Sequence, residues 1–155
     1  MVETQIKPLV HESRIKIPYS WSAGEIGSRF LKELAEHKKI LGRRCSSCNK
    51  VFCPPKKICG FCFKECGEWV EVGPDGTLVA FTQALYPSAA HPTERPVYGL
   101  IKLKGADTAI LHLLGGVALE KLLTGMTVKP IFKENRQGHI LDILHFVPVE
   151  GTDGR

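Results

Sequence analysis

Apolar and polar positions change rhythm three times along the chain. Residues 1–20 hold Pro8 and Pro18, short apolar runs and no helical period, which predicts an extended arm that orders against a partner surface. From Trp21 the pattern becomes helical. Ser22-x-x-Glu25 has the form of a capping box, and Ile26, Phe30 and Leu34 recur every four residues with Leu31 and Ala35 alongside. This predicts an amphipathic helix to about His37, its first turns weakened by Gly24 and Gly27. Its apolar stripe is either core or, because a short module follows, a face for a second protein chain. After Cys66 the pattern is that of short strands. Trp69–Val72 is one strand, Gly73-Pro-Asp-Gly76 a turn, and Gly76–Gln83 a β-branched and aromatic strand. Tyr86–Pro96, with prolines at 87, 92 and 96, is a loop.

The next strand alternates cleanly. Val97, Gly99, Ile101 and Leu103 share one face and Tyr98, Leu100, Lys102 and Lys104 the other, as a half-buried strand requires. Gly105–Asp107 turns the chain into Thr108–Leu114. A short helical turn within Gly115–Leu123 precedes two last strands, Met126–Phe132 and Gly138–Val149. Five strands in one run with a short helix among them predict an OB-fold, a small Greek-key barrel. The fifteen glycines and ten prolines agree with many short turns.

Between helix and strands lies Cys45-Ser-Ser-Cys48, ten residues, then Cys59-Gly-Phe-Cys62. Each Cys-x-x-Cys pair folds into a knuckle with two sulfurs at one point, and two knuckles make a tetrahedral thiolate site. Pro54-Pro55 in the spacer favours a reversal. Two disulfides or a redox dithiol would use the same residues, but neither a signal peptide nor a β-α-β context accompanies them. A closed four-cysteine site usually holds zinc, and rubredoxin-type iron fits the same ligands. Cys53 and Cys66 make no third pair and read as small buried thiols.

Composition narrows the setting. A length of 155 residues with 43% apolar content makes one medium domain or two small ones. No run approaches the roughly 18 apolar residues that cross a bilayer, so the expected compartment is a reducing cytoplasm. The organisation read from the pattern is arm and helix over 1–40, zinc ribbon over 41–70, OB-fold over 71–150 and a frayed tail over 151–155. A net charge of +5 permits an anionic partner without demanding one. Lys38, Lys39, Arg43, Arg44, Lys56 and Lys57 gather in sequence around the knuckles, either as solvated charge or as a phosphate clamp.

These residues resemble a known family. Trp21-Ser-Ala-Gly24 with its helix, Gly42-x-x-Cys45-x-x-Cys48, Pro54-Pro55-Lys56-x-x-Cys59-x-x-Cys62, Gly76-x-x-x-x-Phe81-Thr82, Pro96-Val-Tyr-Gly-Leu-Ile101 and Gly125-Met-Thr-Val128 together look like the acyl-CoA-associated OB-fold proteins with an N-terminal rubredoxin-like zinc ribbon, domain of unknown function family 35. The resemblance implies a non-catalytic subunit that binds coenzyme A thioesters and associates with thiolase-type enzymes. Lys56 stands where that family usually has Arg, and Cys-Gly-Phe-Cys replaces the commoner Cys-Pro-x-Cys.

Coenzyme A combines a diphosphate, a ribose phosphate and an adenine, so it asks for cations beside an apolar slot. Lys38, Lys39, Arg43, Lys56 and Lys57 near Phe61, Phe63 and Trp69 are the candidates, with the Tyr86–Pro96 loop. The alternative is single-stranded nucleic-acid binding, for which Phe81, Tyr98 and Phe132 are the only central-strand stacking platforms. Intrinsic catalysis is not expected. No nucleophile elbow, zincin, P-loop or dinucleotide motif is present, and histidines 11, 37, 91, 112, 139 and 145 are scattered.

Overall fold

The computed structural model describes residues 9–10 and 17–149; the predicted tail over 151–155 lies outside the described residues, as does most of the arm. Helix α1 (Gly24–His37) is followed by strands β1 (Ile40–Cys45), β2 (Val51–Phe52) and β3 (Cys66–Val72), which form an antiparallel sheet in the order β2-β1-β3. Strands β4 (Gly76–Gln83), β5 (Val97–Leu103), β6 (Ile110–Leu114), β7 (Thr127–Phe132) and β8 (Ile143–Pro148) close into a barrel in the order β4-β5-β6-β8-β7. The barrel closes through β4–β7 pairing, and β6 runs parallel to β8 where Leu114 faces Phe146. This is the OB-type arrangement expected from the five-strand run. The helical turn ahead of β7 is a single 3₁₀ turn, Leu119–Lys121.

The helix extends over the predicted residues but starts differently. Ser22 Oγ accepts from the backbone N–H of Gly24 at 3.1 Å, and the N-cap is Ala23, which makes no side-chain cap. A hydroxyl engaged with a residue two positions on is unavailable to Glu25, so the predicted capping box does not form. At the other end Lys38 takes a left-handed φ of 57°, and the N–H of Lys39 reaches back to the Glu33 carbonyl at 3.2 Å, closing the helix.

The apolar stripe is covered by the chain itself. Phe30 and Leu34 join Ile40, Leu41, Val72 and the inward residues of the barrel, including Leu78, Ile101, Val128, Ile143 and Phe146, in one hydrophobic cluster. Leu34 is completely buried, a burial that contributes about 2 kcal/mol.

The ribbon sheet is also hydrogen-bonded to the barrel, by a clamp that no local pattern announces. In the β5–β6 turn, Asp107 accepts from the N–H of Val51 and donates its own N–H to the Val51 carbonyl, both at 2.8 Å. Thr108 Oγ1 accepts from the N–H of Cys53 and donates to its carbonyl, both at 2.9 Å. The outer edge of the short strand β2 is thereby paired with the barrel's own turn. Gly42 lets β1 and β2 meet this closely, since a Cβ there would lie 2.9 Å from the Phe52 carbonyl oxygen.

Strand β3 begins at Cys66, three residues before the predicted Trp69. The Cys66 N–H bonds the Lys57 carbonyl at 2.8 Å, and the residue pairs with Cys45, so the second knuckle itself starts the strand. The last strand is shorter than predicted because residues 140–142 form a 3₁₀ turn capped reciprocally by His139 and Asp142.

Candidate metal centre and adjoining cationic cleft

The two knuckles are built alike, residue for residue. In the first, Cys45 N–H bonds the Lys50 carbonyl at 2.9 Å and Asn49 N–H bonds the Cys45 carbonyl at 3.1 Å. In the second, Cys59 N–H bonds the Lys64 carbonyl at 2.8 Å and Phe63 N–H bonds the Cys59 carbonyl at 3.2 Å. Asn49 and Phe63, each directly after its second cysteine, both take φ of 58°. Asparagine adopts that left-handed turn at little cost, whereas phenylalanine adopts it at a steric penalty. Phe63 is 78% exposed, so its side chain gives little packing in return. Phe63→Asn is expected to raise stability by about 1 kcal/mol. Chemical denaturation of the two proteins side by side checks it; a loss of stability would contradict this account of the turn.

The sulfurs of Cys45, Cys48, Cys59 and Cys62 all lie within 4.8 Å of one another, a group that can hold a metal ion. Cys45 and Cys62 Sγ are 3.4 Å apart and Cys48 and Cys59 Sγ 3.6 Å apart. A tetrahedron with metal–sulfur bonds of about 2.3 Å has sulfur–sulfur edges of about 3.8 Å, close to these spacings.

The surroundings act unequally on the thiols. Backbone N–H groups of Cys48 and Ser47 aimed at the Cys45 sulfur draw its thiol down to about 6 against the opposing effect of burial. At Cys59 burial opposes ionisation, but the N–H groups of Cys62 and Phe61 outweigh it and the thiol is lowered. At Cys48 the Lys50 N–H pulls downward, yet burial and the neighbouring sulfurs outweigh it and raise the thiol to about 12. Four adjacent sulfurs cannot all ionise against one another unless a cation shares the site, so the donor set fits a divalent metal. Cys66 and Phe52 pack beside the knuckles, whereas Cys53 belongs to the main core. Burial raises the Cys66 thiol and pushes that of Cys53 up to about 12, so both are inert packing residues.

The predicted cations separate. Lys38 sits in the left-handed turn ending α1, and Lys39 is paired with Glu71 at 2.9 Å. Arg44 is paired with Glu68 at 2.9 Å, and Lys56 lies over the Phe52 ring. Arg43 and Lys57 instead meet at a cleft of about 480 Å³ between the start of α1 and the ribbon sheet, lined also by Glu25, Arg29, Glu65 and Trp69. The pairing of β1 with β3 sets Arg43 directly across from Trp69. The guanidinium groups of Arg29 and Arg43 lie 4.7 and 5.3 Å from the centre of the Trp69 ring.

Among the described residues Arg29, Arg43 and Lys57 form no ion pair, and the buried Nε of Arg43 has no hydrogen-bond partner. Arg43 Nη2 donates to the Gly67 carbonyl at 3.1 Å, which fixes the group in place. Arg29 is missed by sequence reading because it lies on the polar side of α1, where a solvated charge is the ordinary expectation. The Tyr86–Pro96 loop lines none of this cleft.

The nucleic-acid alternative loses two of its three stacking platforms. Phe81 and Phe132 are half-buried and pack on the core cluster, leaving Tyr98 on the barrel's outer face. His112, inside β6, is buried against Phe146, and its Nε2 meets the Ile140 carbonyl at 3.2 Å, a packing role. Among the described residues no histidine bonds a serine, threonine or cysteine side chain.

No family model matches the chain, and no curated protein matches it. Solved structures do share its fold. A chain described as "Ltp2-ChsH2(DUF35) aldolase" aligns with a TM-score of 0.61 at 24% identity, covering 78% of this chain and 93% of that one. A DUF35-family protein of unknown function from Sulfolobus solfataricus aligns with a TM-score of 0.56 at 23% identity, covering 70% and 78%. Both descriptions carry the family name that the sequence motifs resemble. No described helix is long and apolar enough to cross a membrane.

Proposed function

We propose that this chain is a non-catalytic subunit of DUF35 type that holds a structural zinc ion through Cys45, Cys48, Cys59 and Cys62. In this reading it binds the nucleotide end of an acyl-coenzyme A and associates with a thiolase-type enzyme. The carrying observation is the cleft at Trp69, where Arg29 and Arg43, neither in an ion pair among the described residues, lie over the indole ring and Lys57 lines the same cleft beside Glu25 and Glu65. Its volume falls within the range of small-molecule sites. Guanidinium forks match phosphate oxygens in pairs, and a flat indole matches a purine ring.

The likeness in fold to a protein described as part of an aldolase supports the partnership. With all four metal positions filled by sulfur, zinc offers no site for substrate and acts by folding the ribbon. The ion would also keep β1 and β3 in the register that sets Arg43 opposite Trp69.

Calorimetry of the zinc-loaded chain with coenzyme A, alone and with a thiolase-type enzyme, tests this reading. Arg29→Glu is expected to weaken binding by about 10–30-fold, because it removes one charge-assisted contact and adds a repulsive one. The helix itself should be untouched, since Arg29 is exposed. Absence of binding in both settings, or an unchanged affinity in the variant, would exclude the cleft.

A further inference from the structure

The two knuckles share a backbone and differ at their tips. Aligned on their first cysteines, Ser46 and Ser47 of the first correspond to Gly60 and Phe61 of the second, Asn49 to Phe63, and Lys50 to Lys64. The first tip is polar throughout, so the metal-binding turn needs no aromatic residue. The second carries Phe61 and Phe63, 61% and 78% exposed, with Ile58, 48% exposed, at its base. Phe63 also holds a left-handed φ that is costly for a bulky residue, and little packing within the chain offsets that cost. Such a tip gains when something outside the chain covers it.

Charge narrows what that is. Residues 46–65 hold the cations Lys50, Lys56, Lys57 and Lys64 and a single carboxylate, Glu65. None of these lysines is in an ion pair among the described residues, and Glu65 lines the cleft at Trp69 with Arg43 and Lys57. The Lys50 ammonium lies 5.0 Å from the centre of the Phe61 ring, and that of Lys56 lies 5.7 Å from the centre of Phe52, the ring behind Phe61. Lys64 directly follows Phe63. Cations flanking exposed apolar side chains match a surface that is anionic outside and apolar beneath, as the headgroup boundary of an anionic bilayer is. Lysine stems lie along apolar groups and keep their ammonium ends at the phosphates.

A single-stranded nucleic acid offers the same charge, but it needs free ring faces on which bases stack. Phe61 carries Lys50 on its ring and is tilted against Phe52 at 5.9 Å, which leaves Phe63 as the one open platform of this knuckle. Side chains entering lipid need no free face, so the observations favour the bilayer.

We propose that the second knuckle is a membrane-docking tip: Ile58, Phe61 and Phe63 enter the headgroup boundary of an anionic bilayer while Lys50, Lys56 and Lys64 meet its phosphates. Two rings, one aliphatic side chain and three cations make the attachment reversible and sensitive to salt.

Co-sedimentation of the full zinc-loaded chain with vesicles of phosphatidylcholine mixed with phosphatidylglycerol, against phosphatidylcholine alone, tests the docking. Binding to the mixed vesicles that fades with added salt is expected, with little binding to the neutral ones. Phe63→Asn should weaken it about 10-fold. The same change is expected to raise stability, so an unchanged or higher thermal midpoint separates lost docking from lost folding. Lys56→Glu/Lys64→Glu should weaken binding about 25-fold or more, about fivefold for each cation removed. Ser47→Ala, at the matching place in the first knuckle, should leave it unchanged. Binding that Phe63→Asn does not alter, or equal binding to neutral vesicles, would overturn the proposal. Absence of vesicle binding at low salt would overturn it too, the tip then belonging to nucleic acid if an oligothymidylate binds and both variants weaken it, and to an acidic protein surface if none binds.

Discussion

Stripping the metal from the four-cysteine centre with a strong chelator is expected to unfold the ribbon and loosen the barrel with it. The knuckle cluster is small: beyond the cysteines, only Phe52 is buried in it. Two-residue β2 contributes just two cross-strand pairs to β1. Such a module gains little from its own packing, whereas zinc bound to four thiolates supplies about 10–16 kcal/mol of apparent free energy at neutral pH. Without the ion, four crowded sulfurs must reprotonate or repel one another.

The damage should spread along the hydrogen bonds from Asp107 and Thr108 to Val51 and Cys53, because these join β2 to the β5–β6 turn. Hydrogen exchange before and after chelation reads the order of events. Amides of β1–β3 should lose protection first and those of the β5–β6 turn next, with β7 and β8 last. Returning zinc should restore the spectrum. Cys59→Ser should behave as the chelated protein does, since it removes one ligand from a fully buried position.

The second large effect is expected at Asp142, a carboxylate 3% exposed in the short turn before β8. It accepts from the N–H groups of Gln137, Gly138 and His139, at 2.8 to 3.1 Å, and so organises the whole β7–β8 connection. The same connection carries Arg136, whose guanidinium bonds the Ala35 carbonyl at 2.6 Å, and Ile140, which packs on the core cluster. Asp142→Ala leaves three backbone donors of a part-buried turn without their acceptor and should cost about 2–3 kcal/mol.

The pH dependence has a definite sign. Burial opposes ionisation of Asp142, but the three N–H donors and Lys133 outweigh it, so its folded pKa lies below the ordinary 3.8. Its stabilising contribution is therefore complete above that ordinary value and drains away as the pH falls through the lower folded one. Burial also lowers His112, chiefly by excluding water from its charged form, so stability begins to fall below the ordinary histidine value of 6.5. Urea titrations from pH 7 downward should show both losses in the wild type. The acidic one should be absent in Asp142→Ala; a parallel loss in both proteins would contradict the role given to the carboxylate.

Much of the architecture was legible because it rests on local periodicity. The alternation in β5 identified its inward residues, and the four-residue recurrence of Ile26, Phe30 and Leu34 located the helix. The cysteine spacing located the knuckles. What escaped reading depends on contacts between distant residues. Ser22 and Glu25 matched a capping pattern, but the hydroxyl is satisfied by Gly24 and leaves the box open. The covering of the helix stripe could not be seen until β1 and the last 3₁₀ turn were placed against it. Arg29 and Trp69 meet only once the helix crosses the ribbon sheet, and Arg43 faces Trp69 only through the β1–β3 register. Lys39 and Arg44, which looked equally suited to phosphate, face Glu71 and Glu68 on the neighbouring strand.

The centre on which the ribbon and the cleft depend is most directly probed by X-ray absorption at the zinc edge, together with metal quantitation, on freshly purified full-length protein. One zinc per chain with four sulfur neighbours at about 2.3 Å is the predicted result. Metal far below one equivalent, or a shell containing nitrogen or oxygen, would contradict it.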